Sequence, residues 1–138
     1  MPSQTVELRN IPGTAAAAGW SGAHTLIVDR PPGRAGGMGL GFNGAELLAF
    51  ALGGCFCNDL RYVAAEMGID LGEVAVTVTV VLEGEPLLAT AAEMTVLCRR
   101  ADGSDAADVV ERAKRSCMVG NSLQRGIAVS IEAVPPSA

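Results

Sequence analysis

Aromatic residues are scarce in this chain: three Phe, one Tyr and one Trp in 138 residues. That excludes a core of stacked rings and leaves Val, Leu, Ala and Met to fill it, side chains that let neighbouring backbones come close. Lysine is scarcer still. Lys114 is the single one, and the other basic residues are all Arg. With 15 acidic residues against 10 basic ones the net charge is −5, which argues against nucleic acid as a partner, because phosphate binding needs a basic patch. Long apolar runs are missing too. The longest is Leu47–Cys57, short of the roughly 20 residues a membrane span requires, and Met1–Asn10 lacks the basic-then-apolar layout of a secretory signal. The expected location is the cytoplasm, away from any membrane. There, four cysteines read as thiols with redox or packing roles rather than as structural disulfides.

The length suits one domain, residues 1–138, able to bury roughly two thirds of the surface its unfolded chain exposes. Gln4–Arg9 alternates, His24–Val28 reads as a strand, and the Ala-rich Thr14–Ala18, too short to nucleate a helix alone, could equally be a strand ahead of Trp20; together they suggest a three-stranded antiparallel start. Arg30–Gly41, with Pro31, Pro32 and five glycines, must be loop, and its length draws attention to it. Asn43 and Glu46 form the signature of a capping box at the head of a long helix that Gly68 ends. The helix is apolar almost all the way round, as a buried one would be, and Gly53-Gly54 marks a kink or a close approach of another backbone. Val74–Leu82 and Ala92–Arg99 alternate as strands, the latter with Met94, Val96 and Cys98 inward. Asp105–Ser116 has acids at its start and bases at its end, as the helix dipole favours. Cys117–Gln124 is a short second helix, and Ile127–Ala133 alternates as a last strand. The expected order is β-β-β-α-β-β-α-α-β, an α+β fold with antiparallel-rich sheets around a long central helix.

The cysteines differ in what surrounds them. Cys98, on the inward face of a strand, reads as packing. Cys57 lies about 200° round the helix from Cys55, so the two share no face, and it reads as packing as well. A mid-helix Cys55 is by position alone either a small hydrophobe or a reactive thiol. Cys117 stands at the start of a short helix, where the dipole and free N–H groups favour a thiolate. The spacing 55, 57, 98, 117 contains no Cys-x₂-Cys pair, which disfavours zinc; no metal and no other cofactor is expected. His24, in a strand, reads as structural.

Three segments resemble the OsmC/Ohr family, the osmotically inducible and organic-hydroperoxide-resistance proteins: GLGFNGAELLAFALGGCFCNDL, CMVGNSL and VDRPPGRAGG. With the element order, the resemblance covers nearly the whole chain and is nearest the OsmC-like branch. It implies an interwoven homodimer and a cysteine-based peroxidase acting on organic hydroperoxides. Cys55 would attack the O–O bond and become a sulfenic acid, Cys117 would close a disulfide with it, and an external dithiol would reduce that. Glu46 matches the family glutamate that anchors an arginine against the reactive sulfur. Arg34 or Arg30, from the loop before the helix, would be that arginine, Arg34 preferred as lying deeper in the loop. The match departs at Gly19-Trp20-Ser21-Gly22, where the Ohr branch carries an Arg, and at Met118, where a Pro is usual. Glu46 and Cys55 are nine residues apart, roughly 13 Å along a straight helix and on opposite sides of it. Glu46 therefore serves either its own helix cap alone or the Cys55 of a partner chain. Leu48, Phe50, Leu52 and Phe56 would line a site suited to alkyl peroxides. The alternative is a non-enzymatic member of the fold that binds an apolar small molecule at the dimer cleft, its cysteines packing or sensing redox passively.

Overall fold

The computed structural model describes residues 1–136 of the chain. Strands β1 (Glu7–Asn10), β2 (Ala17–Ser21) and β3 (His24–Val28) form an antiparallel sheet in that order. Glu7 faces Trp20 and Asn10 faces Ala17; Ala17 faces Val28 and Ser21 faces His24. The glycine-rich loop then returns to β3, where the Phe42 N–H donates to the Ile27 carbonyl at 2.9 Å and the Asp29 N–H to the Phe42 carbonyl at 3.1 Å. Gly41 makes that return possible: a Cβ on it would lie 2.0 Å from the Ile27 carbonyl oxygen, which backbone cannot yield.

Helix α1 (Gly44–Met67) begins at the expected box. The Glu46 N–H donates to Asn43 Oδ1 at 2.8 Å, and the Asn43 N–H donates to Glu46 Oε1 at 3.0 Å, so two of the helix's orphan donors are satisfied reciprocally. Strands β4 (Leu71–Glu83) and β5 (Leu88–Arg100) pair as a hairpin longer than the alternating core of either suggests. Val74, Val76, Val78 and Val80 are half-buried on one face of β4, and Met94, Val96 and Cys98 turn inward on β5. Helices α2 (Ala107–Ser116) and α3 (Met118–Arg125) follow.

Contacts gather the chain into two compact units, one of Met1–Phe50 with Val78–Glu93, the other of Ala51–Thr77 with the residues from Met94 onward. In the first, Val6, Leu8, Trp20, Leu26 and Leu47 are among the residues lining an apolar cavity of about 230 Å³. In the second, the core is a stripe of α1 (Leu52, Phe56, Leu60, Val63, Ala64) with Cys98, Ala106, Val109 and Ala113. Leu60 and Val109 are wholly shielded from solvent, and Arg112 clips α2 to Glu66 of α1 at 3.0 Å.

Two expectations need correction. The helix is not buried all round within this chain: one stripe is buried while Phe50 and Tyr62 are 59% and 69% exposed, and among the described residues outside its own stretch of helix none comes within 4 Å of where a Gly54 Cβ would be. By length and composition α1 would also pass for a membrane span, as core helices of soluble proteins do. The final β of the expected order is also absent. Residues 126–136 form no regular element, and Ile127, Val129 and Ile131 are exposed. Alternation states which side of a segment is apolar, but a strand needs a neighbouring edge to satisfy its backbone, and among the described residues no strand of this chain pairs with it. The observed order is β-β-β-α-β-β-α-α.

Candidate functional site

Cys55 sits on α1 at the flank of the buried stripe, half-buried. One turn on, Asp59 lies on the same face, as residues four apart do. The Cys55 thiol donates to Asp59 Oδ2 at 3.6 Å. Cys117 arrives from the other side of the sequence. It is the residue between α2 and α3, with extended backbone (φ −63°, ψ 107°) that ends one helix and caps the next. Its Sγ accepts from the Gly120 N–H at 3.4 Å, and its carbonyl accepts from the Asn121 N–H at 2.9 Å. A side chain at position 120 would crowd this arrangement, since a Cβ there would stand 3.3 Å from Cys117 Sγ and 3.6 Å from Leu52 Cδ1.

The two sulfurs and a carboxylate oxygen of Asp59 all lie within 4.8 Å of one another. Both cysteines are free thiols. A disulfide needs the sulfurs at about 2.05 Å, so closure asks for a small movement of side chains that already face each other. Burial dominates the chemistry of Cys117, which is 4% exposed. Desolvation pushes its thiol up to about 11; the Gly120 N–H works in the opposite sense, and the nearby Cys55 and Asp59 add to the rise. The expected thiolate at a helix start is thus overridden, because removing the charge from water outweighs one donor and the dipole of a short helix. Cys117 carries its proton at neutral pH.

Cys98 is 4% exposed and its thiol is also raised by burial, as befits a packing residue. Cys57 is half-buried and outside the cluster. Glu46 is exposed, its carboxylate engaged by the Asn43 N–H. Arg30 lies in the loop beside Asp29. Its guanidinium approaches Asp29 Oδ1 at 3.3 Å and donates to the Ala15 carbonyl, while its buried Nε has no partner among the described residues. Arg34, the preferred candidate, is exposed, and its side chain has no ion-pair partner among the described residues. The structure therefore brings Cys55 and Cys117 together, gives Glu46 to its own cap and ties Arg30 to Asp29.

Two residues went unread in the sequence. Asp59 has a signal, its i+4 spacing from Cys55. Asp29 is 6% exposed and accepts from the backbone N–H groups of Arg30, Met38 and Leu40 at 2.8, 3.1 and 3.0 Å. These bonds, that from Leu40 foremost, hold its carboxyl below the usual range. Its partners are backbone groups, which no side-chain pattern announces.

The family model described as OsmC-like protein matches residues 36–132, a span that includes Glu46, Cys55, Asp59 and Cys117 and begins after Arg30 and Arg34. No curated protein matches significantly. Among solved structures, the chain is similar to an OsmC-like protein of unknown function from Vibrio cholerae (TM-score 0.75, 12% identity, 88% of this chain and 94% of that one). It is also similar to an OsmC-like protein from Mycoplasma pneumoniae (TM-score 0.73, 14% identity, covering 89% and 88%). A third likeness is to the organic hydroperoxide resistance protein OhrB of Bacillus subtilis (TM-score 0.59, 21% identity, covering 88% and 90%). At these identities the likeness is one of fold, an α+β fold with antiparallel strands and three helices.

Proposed function

This chain belongs to the OsmC-like protein family, and from that premise we propose that it is a thiol-dependent peroxidase that reduces organic hydroperoxides in a reducing compartment such as the cytoplasm. The observation that carries the reading is the meeting of Cys55 and Cys117, 62 residues apart in sequence, with their sulfurs within 4.8 Å. The Cys55 sulfur attacks the terminal oxygen of the peroxide. The O–O bond breaks, the alkoxide takes a proton and leaves as alcohol, and Cys55 becomes a sulfenic acid. Asp59, already accepting the Cys55 thiol hydrogen, is placed to receive the proton that the sulfur loses. Cys117 then gives up its proton and attacks the sulfenic sulfur as the thiolate: the S–S bond forms and the hydroxyl leaves with that proton as water. An external dithiol reduces the disulfide by exchange.

In this reading Glu46 and a loop arginine act on the Cys55 of a second copy. Arg34, exposed on the loop before α1, is the preferred candidate for that arginine, with Arg30, tied to Asp29 and Ala15, as the other. A homodimer is supported by the apolar residues that one chain leaves exposed, Val6, Leu8, Leu26, Phe50 and Tyr62 among them. Leu52, beside Gly120, gives the thiol pair an apolar neighbour suited to alkyl groups.

The test is mass analysis of the reduced, chelator-treated protein after one equivalent of an alkyl hydroperoxide. The expected product is a Cys55–Cys117 disulfide within seconds, with Cys117→Ser stopping at the sulfenic acid. No oxidation in minutes, or the same oxidation in Cys55→Ser, refutes the reading. A second reading, a non-enzymatic binder of an apolar small molecule, is favoured by the cavity of the first unit; retention of an apolar ligand by a protein inert to peroxide would support it.

A further inference from the structure

We propose that Cys55, Asp59 and Cys117 form a zinc site, with two thiolates and one carboxylate as ligands and a fourth position left to water or another small ligand. The donor set is the first argument. Thiolates suit soft or borderline metals, a carboxylate suits harder ones, and two of the former with one of the latter match the borderline Zn²⁺ better than Mg²⁺, Ca²⁺ or Cu⁺. The geometry is the second. Zn–S bonds of about 2.3 Å and Zn–O bonds of about 2.0 Å at tetrahedral angles place sulfur and oxygen roughly 3.5 Å apart, and two sulfurs roughly 3.8 Å apart. Cys55 Sγ and Asp59 Oδ2 stand at 3.6 Å, and no pair within the triad exceeds 4.8 Å. The third is rigidity. Cys55 and Asp59 are fixed one turn apart on α1, and Cys117 is fixed at the junction of α2 and α3. Cysteine spacing alone disfavours zinc because it counts only sulfur; the third ligand here is an aspartate.

Zinc binding requires both thiols to lose their protons, so occupancy rises with pH. A bound ion also competes with disulfide formation. When peroxide does oxidise the pair, the two thiolates give up two electrons to the O–O bond and join as a disulfide. The peroxide oxygens leave, with two protons, as alcohol and water, and the ion is released to solvent. Zinc binding is independent of the peroxidase reading; this competition rests on it.

The experiment is anaerobic titration of the full-length, reduced, metal-free protein with Co²⁺ as a spectroscopic probe and then with Zn²⁺. The expected result is one metal per chain with thiolate-to-cobalt charge-transfer absorption, displaced by Zn²⁺. Cys55→Ser and Cys117→Ser should each weaken binding about 100-fold or more, and Asp59→Asn about tenfold, while Cys57→Ser leaves it unchanged. Absence of charge-transfer absorption, or equal affinity in a Cys55→Ser/Cys117→Ser protein with an unaltered circular dichroism spectrum, overturns the site. In a separate arm, one equivalent of Zn²⁺ should slow oxidation by alkyl hydroperoxide at least tenfold. A metal-free protein that resists peroxide refutes the peroxidase and leaves the cobalt titration to decide the metal site.

Discussion

At the scale of single residues the thiol cluster is a matter of competing terms. Cys117 has the helix-start position that would favour a thiolate and the burial that opposes it, and burial wins. Asp29 shows the reverse. It is as buried, but three N–H groups point at it, and its carboxyl is held low. Its folded value lies below its unfolded one, so it contributes stability that is present above the unfolded value near 3.8 and is lost as pH falls through the depressed one. Urea unfolding measured from pH 5 to pH 2 should therefore show a shallower acid loss in Asp29→Asn than in the parent. An identical acid limb would mean that the carboxylate charge does nothing for the loop. The sequence names such residues unevenly. Cys55 and Cys117 stand out by type, whereas an Asp in a helix or a loop is a common solvated residue until its neighbours are known.

Among the elements, those set by local chemistry were the legible ones. The start of α1 follows from Asn43 and Glu46, the inward faces of β4 and β5 from period-two alternation, and α2 from its charge asymmetry. Removing the cap by Asn43→Ala should cost about 1 kcal/mol, read as a shift in the urea midpoint. Glu46→Gln should leave stability nearly unchanged, because Gln serves the same cap. A large fall in peroxide turnover in that variant would then separate a catalytic task from the structural one. What local chemistry cannot supply is a partner. Ile127–Ala133 has the pattern of a strand and, among the described residues, no edge to join, and α1 has exposed apolar residues such as Phe50 and Tyr62.

At the scale of the whole molecule those uncovered surfaces point the same way. Val6, Leu8 and Leu26, Phe50 and Tyr62, and Ile127, Val129 and Ile131 are all exposed, apolar side chains that a second copy of the chain would cover. Sedimentation at micromolar concentration should give a dimer, and Tyr62→Glu with Val129→Glu should weaken it. A monomeric parent protein would leave Glu46 with its capping role alone. The α+β class and the order of all but the last element were readable from the sequence because each rests on contacts close along the chain. The proposed dimer rests on resemblance, since contacts between chains leave no mark on one chain's periodicity.

The capping of α3 by a cysteine sulfur carries one more consequence. A single atom, Cys117 Sγ, is both the acceptor for the Gly120 N–H and one of the two sulfurs of the proposed disulfide. On the proposed chemistry, cap and disulfide would compete for that one sulfur. Hydrogen exchange at the Gly120 amide should therefore be faster in the peroxide-treated protein than in the reduced one; unchanged exchange would mean that the cap survives oxidation.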